Sequence, residues 1–215
     1  MKYYKLHLIR HGLTRGNEEG LYVGSGTDLP LSDEGRAQLA GLKQQFDYPQ
    51  VPLVFVSPLC RAVESAELLF PGVRQIELQD LREMDFGVFE GRPVSELVRD
   101  PAFAQWLDPR SQTVPEGAES RRAFYDRTGG MLIKMFVYLL RTHTPEAACV
   151  THGGVIMSML AQHALPRRKP EDWMTDPGAG YSVRLDAEMW MRDHLAEAYD
   201  VVPLGYLDGI EEPAK

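Results

Sequence analysis

The chain has little cysteine, fewer cations than anions, and no long apolar run. Cys60 and Cys149 are the two cysteines in 215 residues. They lack Cys-x-x-Cys spacing, which excludes a zinc ribbon and a disulfide framework and suits a reducing compartment. Lysine and arginine number 23 against 31 aspartates and glutamates, for a formal charge of -8. That balance argues against a general binder of nucleic acid or anionic membrane, so any anion site must be a local concentration of cations. No apolar stretch approaches the roughly 18 residues a membrane helix needs. The first strand begins almost at the N-terminus, leaving no room for a signal peptide. The expectation is a cytoplasmic protein, monomeric or homodimeric, with no nucleic-acid or membrane partner. There is no internal repeat and no low-complexity segment.

What is present is concentrated in a few places. Leu6 to Ile9 is a short apolar run that stops abruptly at Arg10-His11-Gly12. Such a run reads as a buried strand delivering its last side chains to a site. A loop rich in Gly, Thr, Asn and Asp follows from Gly12 to Leu31. Ser32 is an N-cap with Asp33 and Glu34 in the first turn, where the helix dipole favours anions. Leu53 to Val56 is a second strand, ending at Ser57, and Pro58 fits the first position of the next helix. That helix carries Leu59, Ala62, Val63, Ala66, Leu69 and Phe70 as a stripe, and Pro71-Gly72 stops it. A third strand is expected from Arg74 to Leu78. Residues 81 to about 115 are irregular, the best candidate for a lid (about 81–118) over a site. A long helix runs from about Glu119 through Leu140, weakened at Gly129-Gly130 by roughly 1 kcal/mol per glycine. Ala147 to Val150 is another buried strand, ending at Thr151-His152-Gly153-Gly154. Tyr181–Leu185 and Ala198–Val202 are expected as antiparallel edge strands, and 209–215 as a frayed tail to a single domain over 1–208.

Strands alternating with helices predict an α/β fold, a three-layer sandwich with a mostly parallel central sheet flanked by helices. Such sheets bind ligands at the carboxyl ends of their strands. Arg10 with His11, Ser57 with Arg61, and His152 all fall at or just beyond predicted strand ends. Two arginines and two histidines at one sheet edge suit a phosphate monoester. Arginine offers a planar fork of donors that stays charged. Two arginines and a protonated histidine can neutralise the equatorial oxygens during phosphoryl transfer. Gly12 and Gly153 would let backbone N–H groups approach the anion. Arg10 then grips the phosphate and His11 attacks phosphorus as a covalent nucleophile. The leaving alcohol needs a proton from a carboxylic acid. Glu83, Asp85 and Glu90 are all available, and the residues alone do not choose among them. Such an acid needs burial or a nearby anion to raise its pKa. His7 and His163 read as structural, and Cys60 as a small helix residue. Arg15, Arg92, Arg121 and Arg122 could grip a second anion or form a solvated face.

These segments resemble the histidine phosphatase superfamily, the phosphoglycerate mutase-like proteins. Leu8-Ile9-Arg10-His11-Gly12-Leu13-Thr14 with Asn17 is similar to its signature. Asp28 to Gly35 is similar to the segment opening its first helix, and Ser57-Pro58-Leu59-Cys60-Arg61-Ala62 with Ser65-Ala66 to its second phosphate-binding motif. Leu81 to Gly91 resembles the acid-bearing segment and Val150 to Gly153 the second-histidine motif, all in the family's order. The resemblance implies that His11 is phosphorylated, that Arg10, Arg61 and His152 hold the phosphoryl group with Asn17, that Glu83 is the proton donor, and that no metal or cofactor is needed. Thr27 is a further substrate-contact candidate. Phe89 stands where many relatives have Trp, Ser65 where many have Thr, and Pro115 to Ser120 only loosely matches a Pro-Gly-Gly-Glu-Ser stretch; none of these is expected to touch the phosphate pocket. Glycolytic mutases of this family are longer and resemble Gly-Leu-Asn-Lys where this chain reads Gly91-Arg92-Pro93-Val94. That favours a phosphatase for a small phosphorylated metabolite, in the bacterial branch with α-ribazole and broad-specificity phosphatases. The alternatives are a mutase and a non-catalytic phosphate- or phosphoprotein-binding module. Specificity is expected to come from residues 13–28 and 92–120.

Overall fold

A computed structural model of the chain describes residues 3–108 and 110–206. In chain order the elements are β1 (Tyr3–Arg10), α1 (Arg15–Glu18), α2 (Asp33–Gln45), β2 (Leu53–Val56), α3 (Cys60–Leu69), β3 (Arg74–Glu77), α4 (Val94–Leu97), α5 (Pro101–Leu107), α6 (Arg121–Thr142), β4 (Glu146–Thr151), α7 (Gly153–His163), β5 (Ala164–Leu165), β6 (Gly180–Asp186), α8 (Ala187–Asp193) and β7 (Ala196–Val202). One seven-stranded sheet runs in the order β3-β2-β4-β1-β6-β7-β5. β3, β2, β4 and β1 are mutually parallel, and β6 is antiparallel to β1 on one side and to β7 on the other.

Alternation along the strands sorts the core into two layers. Leu6, Leu8, Leu53, Phe55, Ala147 and Cys149 face α6 and α7, against Met131, Met135, Phe136, Ile156 and Met159. Ile9, Val54, Val56, Ala148 and Val150 face α2 and α3, against Leu39, Ala62 and Ala66. β2 is buried at every residue, as a parallel strand covered on both faces must be. The helix that follows β1 therefore lies on one face and the helix that follows β4 on the other. The chain diverges at the carboxyl ends of β1 and β4, which opens a crevice there.

The caps follow the local chemistry. Ser32 accepts from Gly35 N and Ser120 from Ala123 N, opening α2 and α6 as expected. Several expectations differ from the structure. The glycine-rich loop after β1 holds the short helix α1, closed by a reciprocal Thr14–Asn17 capping box. Pro58 is not the first helical residue; α3 starts at Cys60, after an extended Leu59. β6 is interior rather than an edge, and β7 is shielded by the two-residue β5. The 209–215 tail lies outside the described residues.

Candidate active site

Register places the first residues of the site. Arg10 pairs with Thr151 across β1 and β4, and Val56 pairs with Val150 across β2 and β4. His11, His152 and Ser57 are the next residues on each strand, so they arrive together. The His11 N–H donates to the Thr151 carbonyl, and the two imidazole rings are 5.1 Å apart. Ser57 Oγ and His152 Nε2 are 2.8 Å apart. Arg61 comes from the first turn of α3, where a cation opposes the helix dipole. Its guanidinium donates to the carbonyls of Gly24 at 2.9 Å and Thr27 at 3.2 Å, which fix it although it is only 2% exposed. Arg10 donates to the Thr175 carbonyl at 2.8 Å. Arg10 Nε and His152 Nδ1 are buried and have no hydrogen-bond partner among the described residues.

His11 Nδ1 lies 2.6 Å from the Gly12 carbonyl oxygen. A carbonyl only accepts, so Nδ1 carries the proton and Nε2 keeps its lone pair. Burial above all, then the neighbouring Arg61 and Arg10, push the imidazole down to about 3. The same causes, burial first, hold His152 well below the usual histidine range. Both shifts favour the neutral rings in the free site, whereas the protonated histidine is expected only during phosphoryl transfer. An arriving phosphate dianion would raise both.

The structure separates the three carboxyls. Glu83 is 8% exposed, lines the cleft, and accepts from Met84 N at 2.8 Å and Gly154 N at 2.9 Å. Burial raises its pKa, against the pull of those N–H groups and of Arg61 and Arg127. Glu90 instead accepts from Gly24 N, Gly26 N and Phe86 N, tying two loops together. Asp85 caps Gly87. Arg10, His11, Asn17, Arg61, Glu83 and Gly153 share the wall of one cleft of about 250 Å³.

Two site expectations need correction. Gly12 offers no N–H to an anion, because that N–H donates to Ser65 Oγ at 2.9 Å. Its glycine character serves packing: a Cβ would lie 2.8 Å from Leu39. Thr27 is not among the cleft residues and contributes a carbonyl to Arg61. Ser65 and 115–120 do not line the cleft, but they brace the residues that do. Ser65 Oγ also donates to the Arg61 carbonyl, so one hydroxyl joins the His11 loop to α3. Glu119 pairs through two oxygens with Arg127, which also donates to the carbonyls of Asp80, Arg82 and Glu83.

Arg127 carries no signal in the sequence, since it is one of four arginines of α6. Gly154 was missed too: a Cβ there would lie 2.5 Å from Glu83 Oε1. Among the described residues the cleft takes nothing from 92–120; its remaining walls are Val23, Met157, Met174 and Thr175. The last two follow a turn far from every motif, and no sequence pattern marks them. Arg15, Arg92 and Arg122 are engaged with Glu19, Asp100 and Asp126, and Arg121 with the Asp108 and Trp106 carbonyls. His7 bridges Ser182 and Glu146, and His163 bonds the His194 carbonyl, both structural as expected. Cys60 donates to Asp28, and burial with that carboxylate pushes its thiol up to about 12. Among the described residues no cluster of His, Cys, Asp and Glu could hold a metal ion.

The fold and the site together define a class, an α/β protein whose sheet edge is suited to passing a phosphoryl group through an imidazole. Residues 6–197 match the model of the histidine phosphatase superfamily, branch 1. The chain is 30% identical over 163 residues to the adenosylcobalamin/alpha-ribazole phosphatase of Escherichia coli, covering 74% of this chain and 78% of that one. Fructose-2,6-bisphosphatase TIGAR B of Danio rerio is 35% identical over 146 residues, 65% of this chain, and the match spans 56% of that relative's length. The crystal structure of the alpha-ribazole phosphatase from Shigella flexneri superimposes with a TM-score of 0.74 at 26% identity, covering 91% of this chain and 94% of that one. A phosphoglycerate mutase from Thermus thermophilus does so at 0.64 with 33% identity, covering 85% and 93%. The chain belongs to the histidine phosphatase superfamily, enzymes that act through a phosphohistidine.

Proposed function

We propose that this chain is a metal-independent phosphomonoesterase for a small phosphorylated metabolite and that His11 Nε2 is its nucleophile. The supporting observation is the locked tautomer: Nδ1 is held by the Gly12 carbonyl while the ring faces a cleft shared with Arg10, Arg61 and Glu83. In the first step Nε2 forms a bond to phosphorus and the ester P–O bond breaks. The Glu83 carboxyl gives its proton to the departing alcohol oxygen. In the second step water attacks phosphorus, loses its proton to Glu83, and breaks the P–N bond to release inorganic phosphate. Arg10, Arg61 and His152 hold the phosphoryl oxygens. Arg10 Nε and His152 Nδ1, buried without partners among the described residues, suit that task. Asn17 joins them from the cleft wall while its Oδ1 caps α1. The N–H of Gly153, at the start of α7, supplies a further donor. Residues 1–208 act as one domain, monomeric or homodimeric, in the cytoplasm, with 81–118 as a lid segment. Among the described residues no helix is long and apolar enough to cross a membrane.

The test is phosphate release from p-nitrophenyl phosphate in excess EDTA, for wild type and His11→Ala. Turnover lost in the variant, with acid-labile phosphate trapped on wild type, is expected. Turnover that survives in the variant would overturn the assignment. Isomerisation of phosphoglycerate without net phosphate release would favour the mutase alternative.

A further inference from the structure

We infer, resting on the phosphatase reading above, that the leaving group this site accepts is uncharged and apolar, and that esters with a second anionic group are poor substrates. The argument starts from cations. Among the residues lining the cleft, Arg10 and Arg61 are the basic ones, and one phosphoryl group occupies both. Arg15, Arg92, Arg121 and Arg122, the arginines that could have served a second anion, are not among the residues lining the cleft. A carboxylate or second phosphate on the leaving group would enter the cleft without a counter-charge and lose hydration there. Glu83 would repel it once the carboxyl has given up its proton.

The remaining wall carries the complementary signal. Val23, Met157 and Met174 line the same cleft as the phosphoryl clamp, beside the uncharged Asn17 and Thr175. Met174 is 68% exposed, so an apolar side chain stands in water at this rim. Its backbone is fixed all the same: the Met174 carbonyl accepts from the Tyr181 hydroxyl, and the next carbonyl, of Thr175, accepts from Arg10. The residue that grips phosphate thus also places the apolar wall. Two flexible thioethers and a valine recognise hydrocarbon of varied shape.

The experiment compares kcat/KM for ethyl, butyl and hexyl phosphate with that for the phosphate monoester of 4-hydroxybutanoate. The leaving alcohols have closely similar acidity, so chemistry is matched and recognition is read. The expected result is a rise of about two- to fourfold per methylene from ethyl to hexyl, with the carboxylated ester about tenfold or more below butyl. Met174→Arg, at an exposed position, should shrink the butyl-to-carboxylate ratio about tenfold; as a ratio it is indifferent to partial loss of folded enzyme. A flat alkyl series, a preference for the carboxylated ester, or a ratio unmoved in the variant would overturn the inference. Failure to hydrolyse any ester, with no phosphate on His11, would overturn the phosphatase reading itself and the inference with it.

Discussion

Glu83 was one carboxyl among three in the sequence, and burial in the cleft wall is what distinguishes it: all three accept backbone N–H groups, but Asp85 and Glu90 do not line the cleft. Glu83→Gln should lower kcat for butyl phosphate by about 10²- to 10⁴-fold while leaving phosphate binding by calorimetry within a few-fold. The loss should be smaller for p-nitrophenyl phosphate, whose leaving group needs no proton. Gly154→Ala places a methyl against the same carboxyl, and about a tenfold or larger fall in kcat is expected with little change in melting temperature. Arg10, His11, Arg61 and His152 were legible because each follows a buried apolar run or a strand-end turn. Gly12 was misread because a glycine after a strand looks the same whether it makes room for a ligand or for Leu39. Val23 falls in the 13–28 segment expected to set specificity, but Met157 and Met174 were invisible, since apolar residues on a cleft wall carry no mark that separates them from core.

The central strands were legible because burial on both faces leaves a continuous apolar run. β6 and β7 were legible as antiparallel strands but their places in the sheet were not, because β5 is two residues long and β6 gains its interior place from pairing with β1 across the length of the chain. α6 shows how unlike two adjacent glycines are. A Cβ at Gly129 would lie 2.5 Å from Gln162 Oε1 on α7, whereas at Gly130 it would meet nothing within 4 Å. Gly130→Ala should therefore stabilise the protein by about 1 kcal/mol, and Gly129→Ala should not; paired thermal melts decide this. Arg127 fastens the same helix to the loop that carries Glu83. Arg127→Gln should depress kcat for butyl phosphate more than kcat for p-nitrophenyl phosphate, with KM little changed, as expected for a residue that positions the acid. Arg127→Lys, unable to reproduce a fork across Glu119 and three carbonyls, should rescue only part of this.

Acidity and ligand act on the whole molecule through the same buried groups. Between pH 6.5 and about 3 the unfolded chain protonates His11 while the folded chain does not. His152, His7 and His163 are depressed in the same direction, each with burial as the first cause. Stability contributed by these rings is complete above pH 6.5 and falls as pH falls, by up to about 1.4 kcal/mol per pH unit for each. Glu83 works the other way: its raised pKa adds stability below the unfolded value of 4.5, lost as pH rises through the folded one. The histidines outnumber it, so denaturant midpoints should decline from pH 7 to pH 5, less steeply in His11→Ala. Inorganic phosphate at 100 times its dissociation constant should restore about 2.7 kcal/mol. The strand pairing also orders events in time. β1 is made first, yet its ladder partners are β4 and β6: Leu6 waits for Ala147 on one side and Val183 on the other. A chain still on the ribosome carries its nucleophile on a strand with both edges unsatisfied until β4 and β6 have been made. Birth of the catalyst thus waits for residues far along the chain, and the interval before it leaves this apolar strand exposed to misassembly.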